Sequence, residues 1–267
     1  HKKKDADMAQ SASQPNLESL RQETAELAAA AEDEYERLYR QAEHATCSGD
    51  PKAAVKLAKQ AIELDPDRPE AHFALGTAYA SCCDDLCASE RYLSAMEREE
   101  PDSSAWARAV VQAWDARRLA APCGSRSLFC ECERCAALPE PPAWMATPEA
   151  LMAMADRVVA ALPGDAESWK MHASAHWDIE SWPAASKSFA KAARLCGDQG
   201  DEPYKAAMLE NAQAARENAE AEAKAEAEAE AARMAAREAA ANAAMEALLA
   251  EEEQEKAAAK SRKQGKV

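Results

Sequence analysis

Small and large apolar residues recur three and four positions apart along most of the chain, and the recurrence is broken at regular places by turns. The clearest stretch is GDPKAAVKLAKQAIELDPDRPEAHFALGTAYA, which reads as a helix, an acidic turn containing proline, and a second helix. Upstream, Leu17, Leu20 and Leu27 fall on one face and predict a leading helix over 16–34 with Asn16 as its cap. Downstream, SSAWARAVVQAWDARR predicts another helix. TPEALMAMADRVVAALPGD predicts the next, with Thr147 as N-cap, Pro148 at the first helical position and Pro163 as the stop. Tyr204, Ala207, Met208, Asn211 and Ala215 keep helical spacing and open a long helix over 203–260. The rest of that helix is rich in alanine and glutamate and sustains no heptad, so a coiled coil is not predicted. Residues 1–15 are expected to be disordered and 261–267 to form a basic tail. The predicted class is all-α.

The helices come in pairs of constant length. Counted from Tyr35, a first unit (35–68) supplies Leu38, Ala42, Ala54, Ala58, Ala61 and Pro66, with Gly49 and Asp50 between its helices. A second (69–102) supplies Leu75, Gly76, Tyr79, Ala88, Tyr92, Ala95 and Pro101. Further on, Asp102, Trp106, Trp114 and Asp115 recur as Asp165, Trp169, Trp177 and Asp178, each displaced by 63 positions. Removing one repeat of about 34 residues leaves an insertion of about 29. A third unit therefore spans 103–163 with an insertion at about 119–146, and a fourth spans 166–199. This pattern resembles the tetratricopeptide repeat family. The resemblance implies a right-handed solenoid of helix pairs, in which each pair buries its apolar side against its neighbours and a final helix covers the end.

In that family the first helix of each unit lines a concave face that holds proteins or peptides. Carried over residue by residue, the resemblance nominates Tyr39, Arg40, Phe73, Arg108, Trp114, Lys170, Met171 and Trp177 as partner-binding. Arg40, Arg108 and Lys170 on one wall would suit an acidic or carboxylate-bearing peptide, with Trp114 and Trp177 as anchors. The alternative is that both tryptophans pack between helices. Chaperone-recruiting relatives clamp a C-terminal carboxylate with Lys, Asn and Arg. Their positions here hold Tyr39, Glu43, Ala74, Ser104 and Arg108, of which only Arg108 fits, so the standard chaperone tail is not an expected partner.

The insertion, CGSRSLFCECERCAALPEPPAWM, carries Cys123, Cys130, Cys132 and Cys135. Four closely spaced thiols match a tetrahedral zinc ion, and structural zinc is one expectation. A reduced loop without metal and a redox role are the others. FCECERC also resembles the cysteine motif of SET/MYND-type methyltransferases. The alternative this raises is that the chain is a regulatory or C-terminal portion of such an enzyme, although no catalytic core is visible in it. His172, His176 and Glu180 stand one helical turn apart and could ligate metal, but they occupy positions that normally pack.

Charge and composition narrow the function further. A net charge of −16 and a pI near 4.9 argue against nucleic acid as partner. No apolar run is long enough to insert in a membrane. Nine cysteines, several inside predicted helices, point to a reducing, cytoplasmic compartment. No phosphate loop, nucleophile elbow or metalloprotease motif is present. The expected function is a non-enzymatic interaction module or scaffold.

Overall fold

A computed structural model describes residues 14–31, 33–122, 128–129, 132–198 and 200–264. Among these there is no strand. The helices are α1 (Gln14–Ala30), α2 (Glu34–Cys47), α3 (Pro51–Leu64), α4 (Pro69–Ser81), α5 (Asp85–Met96) and α6 (Ser104–Leu119), followed by a short α7 (Glu133–Ala136). A 3-10 turn at Ala143–Met145 precedes α8 (Pro148–Ala161), α9 (Ala166–Asp178), α10 (Trp182–Asp198) and α11 (Glu202–Gln264). The boundaries follow from capping. Side-chain oxygens of Asp33, Asp50, Asp84, Ser103, Thr147 and Asp165 each accept the backbone N–H three residues on, an arrangement typically contributing about 1 kcal/mol. Pro51, Pro69 and Pro148 occupy first helical positions, where no N–H is needed.

Several boundaries differ from the sequence reading. Helix α1 begins at Gln14, so Asn16 lies within it; Pro15 is compatible with a first turn because its φ is already helical. The helix also ends at Ala30, and Asp33 starts a new one. Asp102 and Asp165 are equivalent in sequence but not in conformation. Asp165 caps α9, whereas Asp102 lies in the left-handed region (φ 64°), pairs with Arg157 at 2.8 Å and leaves capping of α6 to Ser103.

The helices stack in chain order, forming a tetratricopeptide-like helical solenoid. Fully buried Ala42, Ala54, Ala58, Ala61 and Ala71 let backbones approach closely, and large residues fill the gaps between. Gly76 lies against the ring of Tyr92. The Tyr35 hydroxyl accepts from the Ala71 N–H at 3.0 Å, tying α2 to α4. Ser89 Oγ of α5 donates to the Ala113 carbonyl of α6, and Ser186 Oγ of α10 donates to the Ala212 carbonyl of α11, each at 2.9 Å. The two bonds are alike, so the start of α11 meets α10 as the first helix of a further unit would. In the third unit the insertion separates α6 from α8, and α6 packs mainly on α5. Leu128, Phe129, Trp144 and Met145 pack against the core that holds Trp106, Trp114 and Leu151.

The described residues up to Ala215 form one compact unit and those from Arg216 on form another. In the second unit, Met234 and Met245 are exposed, and Lys224–Glu228 and Lys256–Glu252 pair along the helix at 3.9 and 3.2 Å. Its alanines, glutamates and lysines are strong helix formers and need no packed face to favour helix. Among the described residues no helix is long and apolar enough to cross a membrane.

One buried histidine makes the first unit pH-sensitive. His72 is 4% exposed; Nε2 donates to the Pro66 carbonyl at 2.9 Å, while Nδ1 is buried without a partner. Burial pushes its pKa below the ordinary value, and Arg98 and Arg91 add to this against the opposing Pro66 bond. As pH falls through the unfolded value of about 6.5, the unfolded chain binds the proton first and stability is lost. The urea midpoint is expected to fall between pH 7 and 5.5. The fall should be smaller in His72→Gln, which keeps the donor to Pro66 and removes the titration.

Candidate functional site

A cleft of about 460 Å³ opens where α6, α9, α10 and the first turns of α11 meet. Helix α6 contributes Asp115, Arg118 and Leu119, and α9 contributes Lys170, Ser174, Trp177 and Asp178. Phe189 reaches in from α10, and Tyr204, Ala207, Met208 and Asn211 come from α11. These residues stand three and four apart within each helix, so each helix offers one continuous stripe. Edge-to-face contacts with Trp182 at 5.1 Å and Phe189 at 6.3 Å hold the Trp177 ring. Leu119 at the other wall is 51% exposed.

The floor of the cleft is a closed charge network. Lys170 Nζ lies 3.1 Å from Asp115 Oδ1 and 2.7 Å from Glu167 Oε2. It also stands 5.8 Å from the Trp114 ring centre and 5.6 Å from that of Tyr204. Arg118 pairs with Asp115 at 3.4 Å and covers the Trp114 ring at 4.5 Å. Burial first, and the adjacent Glu167 carboxylate second, raise the pKa of Tyr204 and keep its phenol protonated. Its buried hydroxyl lies beside the Glu167 carboxylate, although the pair does not reach ordinary hydrogen-bond geometry. The two inward-facing cations are thus already paired.

Of the partner-binding residues nominated from sequence, Lys170 and Trp177 line this cleft. Trp114 and Met171 have no exposed surface and belong to the core, so as folded neither can touch a partner. Tyr39 is 5% exposed and packs on Tyr35 at 5.6 Å, and Arg40 covers its ring at 4.8 Å while pairing with Glu43 at 3.2 Å. Phe73 packs edge-on against Tyr92 at 5.1 Å. Arg108 is exposed on α6 outside the cleft. Of the three cations expected on one wall, Arg40 and Lys170 are paired with carboxylates and Arg108 lies outside the cleft. The equivalent tryptophans have separate fates. Trp114 is fully buried in the core shared with the next unit, whereas Trp177, held by Trp182 and Phe189 of α10, is followed only by the start of α11 and keeps a side on the cleft.

The sequence reading assigned Tyr204, Met208 and Asn211 to capping alone; they also form the third wall. Leu119 and Arg118 were missed because they sit in the last turn of α6, where the insertion was expected to begin. Asp115 was noted only for its recurrence. Of the four candidate zinc ligands, Cys123 and Cys130 lie outside the described residues. Cys132 caps the short α7, and its carbonyl accepts the Cys135 N–H at 3.0 Å. No group of three or more metal-ligating side chains occurs among the described residues.

His172 closes a trio: Nδ1 lies 2.9 Å from Ser188 Oγ and Nε2 lies 3.1 Å from Asp156 Oδ1. These are the residue types of an acyl-transfer triad, but the geometry is that of a joint between α8, α9 and α10. Ser188 is 5% exposed in the middle of a helix, so a substrate carbonyl has no approach to it. His176, edge-on to His172 with ring centres 4.6 Å apart, has its pKa lowered by burial and then by that neighbour.

Residues 48–113 match the tetratricopeptide repeat family profile, which covers α3 to α5 and most of α6. No curated protein matches the chain. A crystal structure of MamA is similar at 14% identity, covering 68% of this chain and 96% of that one, with a TM-score of 0.38. At that level it adds nothing to the fold seen directly.

Proposed function

We propose that this chain is an interaction scaffold that holds a segment of a partner protein in the cleft between α6, α9 and the start of α11. The observation that carries this reading is Trp177. Its counterpart Trp114 is entirely buried, whereas Trp177 is held rigid by two aromatic contacts with one side open to a cleft of peptide-binding size. Rigid aromatic anchors beside apolar surface are where binding energy concentrates in interfaces. The mechanism is shape and apolar complementarity, with no bond made or broken.

A photocrosslinking residue placed at Leu119 is expected to capture a partner from cell extract, and the adduct should disappear when Trp177→Ala is added. The same residue at Met234, exposed in the second unit, serves as control. Capture from position 119 that ignores Trp177, or capture only from position 234, would rule out this cleft.

A further inference from the structure

We infer that the two ends of the solenoid join, so that α11 of one copy and α1 of a second copy complete a helix pair between them. The ends are complementary in kind. Helix α1 stands where the second helix of a unit would. Arg21, two repeat lengths before Ser89, donates its Nε–H to the Cys47 carbonyl of α2 at 3.0 Å, as Ser89 and Ser186 donate to the helices that follow them. Helix α11 opens as the first helix of a unit, and among the described residues of the first compact unit no second helix follows it.

Each end exposes leucine where a complete unit is closed. Counting back one repeat from Ala54 and Ala61 gives Leu20 and Leu27. Ala54, Ala88 and Ala185, like Ala61, Ala95 and Ala192, are at most 1% exposed, whereas Leu20 and Leu27 are 43% and 41% exposed. On α11, Leu209 stands three residues before Ala212 as Val110 stands three before Ala113. Val110 occupies the place that Gly76 takes against Tyr92 and has no exposed surface; Leu209 is 49% exposed.

A polar outer face would end such a stack, whereas exposed leucines leave each end able to continue it. The segment ahead of α1, HKKKDADMAQSAS, has Met8 as its single large apolar residue, too little to cover two leucines. A second copy offers both missing halves at once and carries the stacking seen between α4 and α5 across the junction. The contact is heterologous, so each copy keeps one end free for the next.

Sedimentation velocity of the full chain is expected to show association that grows with concentration through dimers to longer species. Leu209→Glu, and the double variant Leu20→Glu/Leu27→Glu, should each weaken self-association by roughly tenfold or more, because a carboxylate would be buried against apolar surface. An equimolar mixture of the two variants should restore association and stop at dimers. It holds one intact junction, between α11 of the double variant and α1 of the Leu209→Glu chain, and recovery there shows that both variants are folded. A chain that stays monomeric at every concentration, self-association retained by either variant alone, or a mixture that fails to recover would each exclude the junction.

Discussion

Trp114→Ala is expected to destabilise the first unit by about 3–5 kcal/mol, the cost of removing a large aromatic side chain from a packed core. The ring has no exposed surface and shares its core with Val110, Val111, Met145, Leu151 and Met171. Little of the void can be refilled, because those neighbours come from α6, the 3-10 turn, α8 and α9, each fixed by its own contacts. The substitution also takes away the face on which Arg118 rests, and with it part of the cleft floor. Urea unfolding followed by circular dichroism measures the loss. A change below about 0.5 kcal/mol, the range of ordinary surface substitutions, would mean that the ring is not core. Trp177→Ala is expected to behave in the opposite way, removing binding while leaving most of the stability.

Gly76→Ala is expected to destabilise by about 1–3 kcal/mol, as overpacking of a tight contact does, although alanine is the better helix former by about 1 kcal/mol. An added Cβ would stand 2.8 Å from two ring carbons of Tyr92. That ring cannot retreat easily: Phe73 packs against it at 5.1 Å, and its hydroxyl donates to Thr77 Oγ1 at 3.1 Å. A double-mutant cycle isolates the contact. In a Tyr92→Ala background the same Gly76→Ala change should become neutral or stabilising, since only the helix preference remains. Equal destabilisation in both backgrounds would place the cost elsewhere, in the backbone of α4.

The Gly76–Tyr92 contact shows why the fold was legible in the sequence. Gly76 in one helix and Tyr92 in the next have their counterparts in Ala173 and Phe189, because helices that approach closely are well packed by a small residue facing a large one. The same logic placed Ala42, Ala54, Ala58 and Ala61 correctly in the interior. The site was less legible, and two residues show why. Trp114 and Trp177 occupy equivalent positions, so no local pattern separates them; only the identity of the next stacked element does. Lys170 has Glu167 three residues before it, a pair that the spacing offers, but its second partner, Asp115, comes from another unit, a contact that sequence spacing does not encode. Pairs within one helix, such as Arg40–Glu43 and Lys170–Glu167, are spaced for pairing in the sequence, whereas the Asp115–Lys170 contact between units is not.

The opening turns of α11 have two duties. Met208, Ala212 and Ala215 seal the apolar end of the solenoid against Phe189, Ala192 and Ala193, while Tyr204, Ala207, Met208 and Asn211 face the cleft. Met208 belongs to both sets. Drift in this short stretch is therefore doubly constrained: a change that retunes ligand preference also tests the seal, and shortening the protein ahead of Tyr204 would cost it both at one stroke.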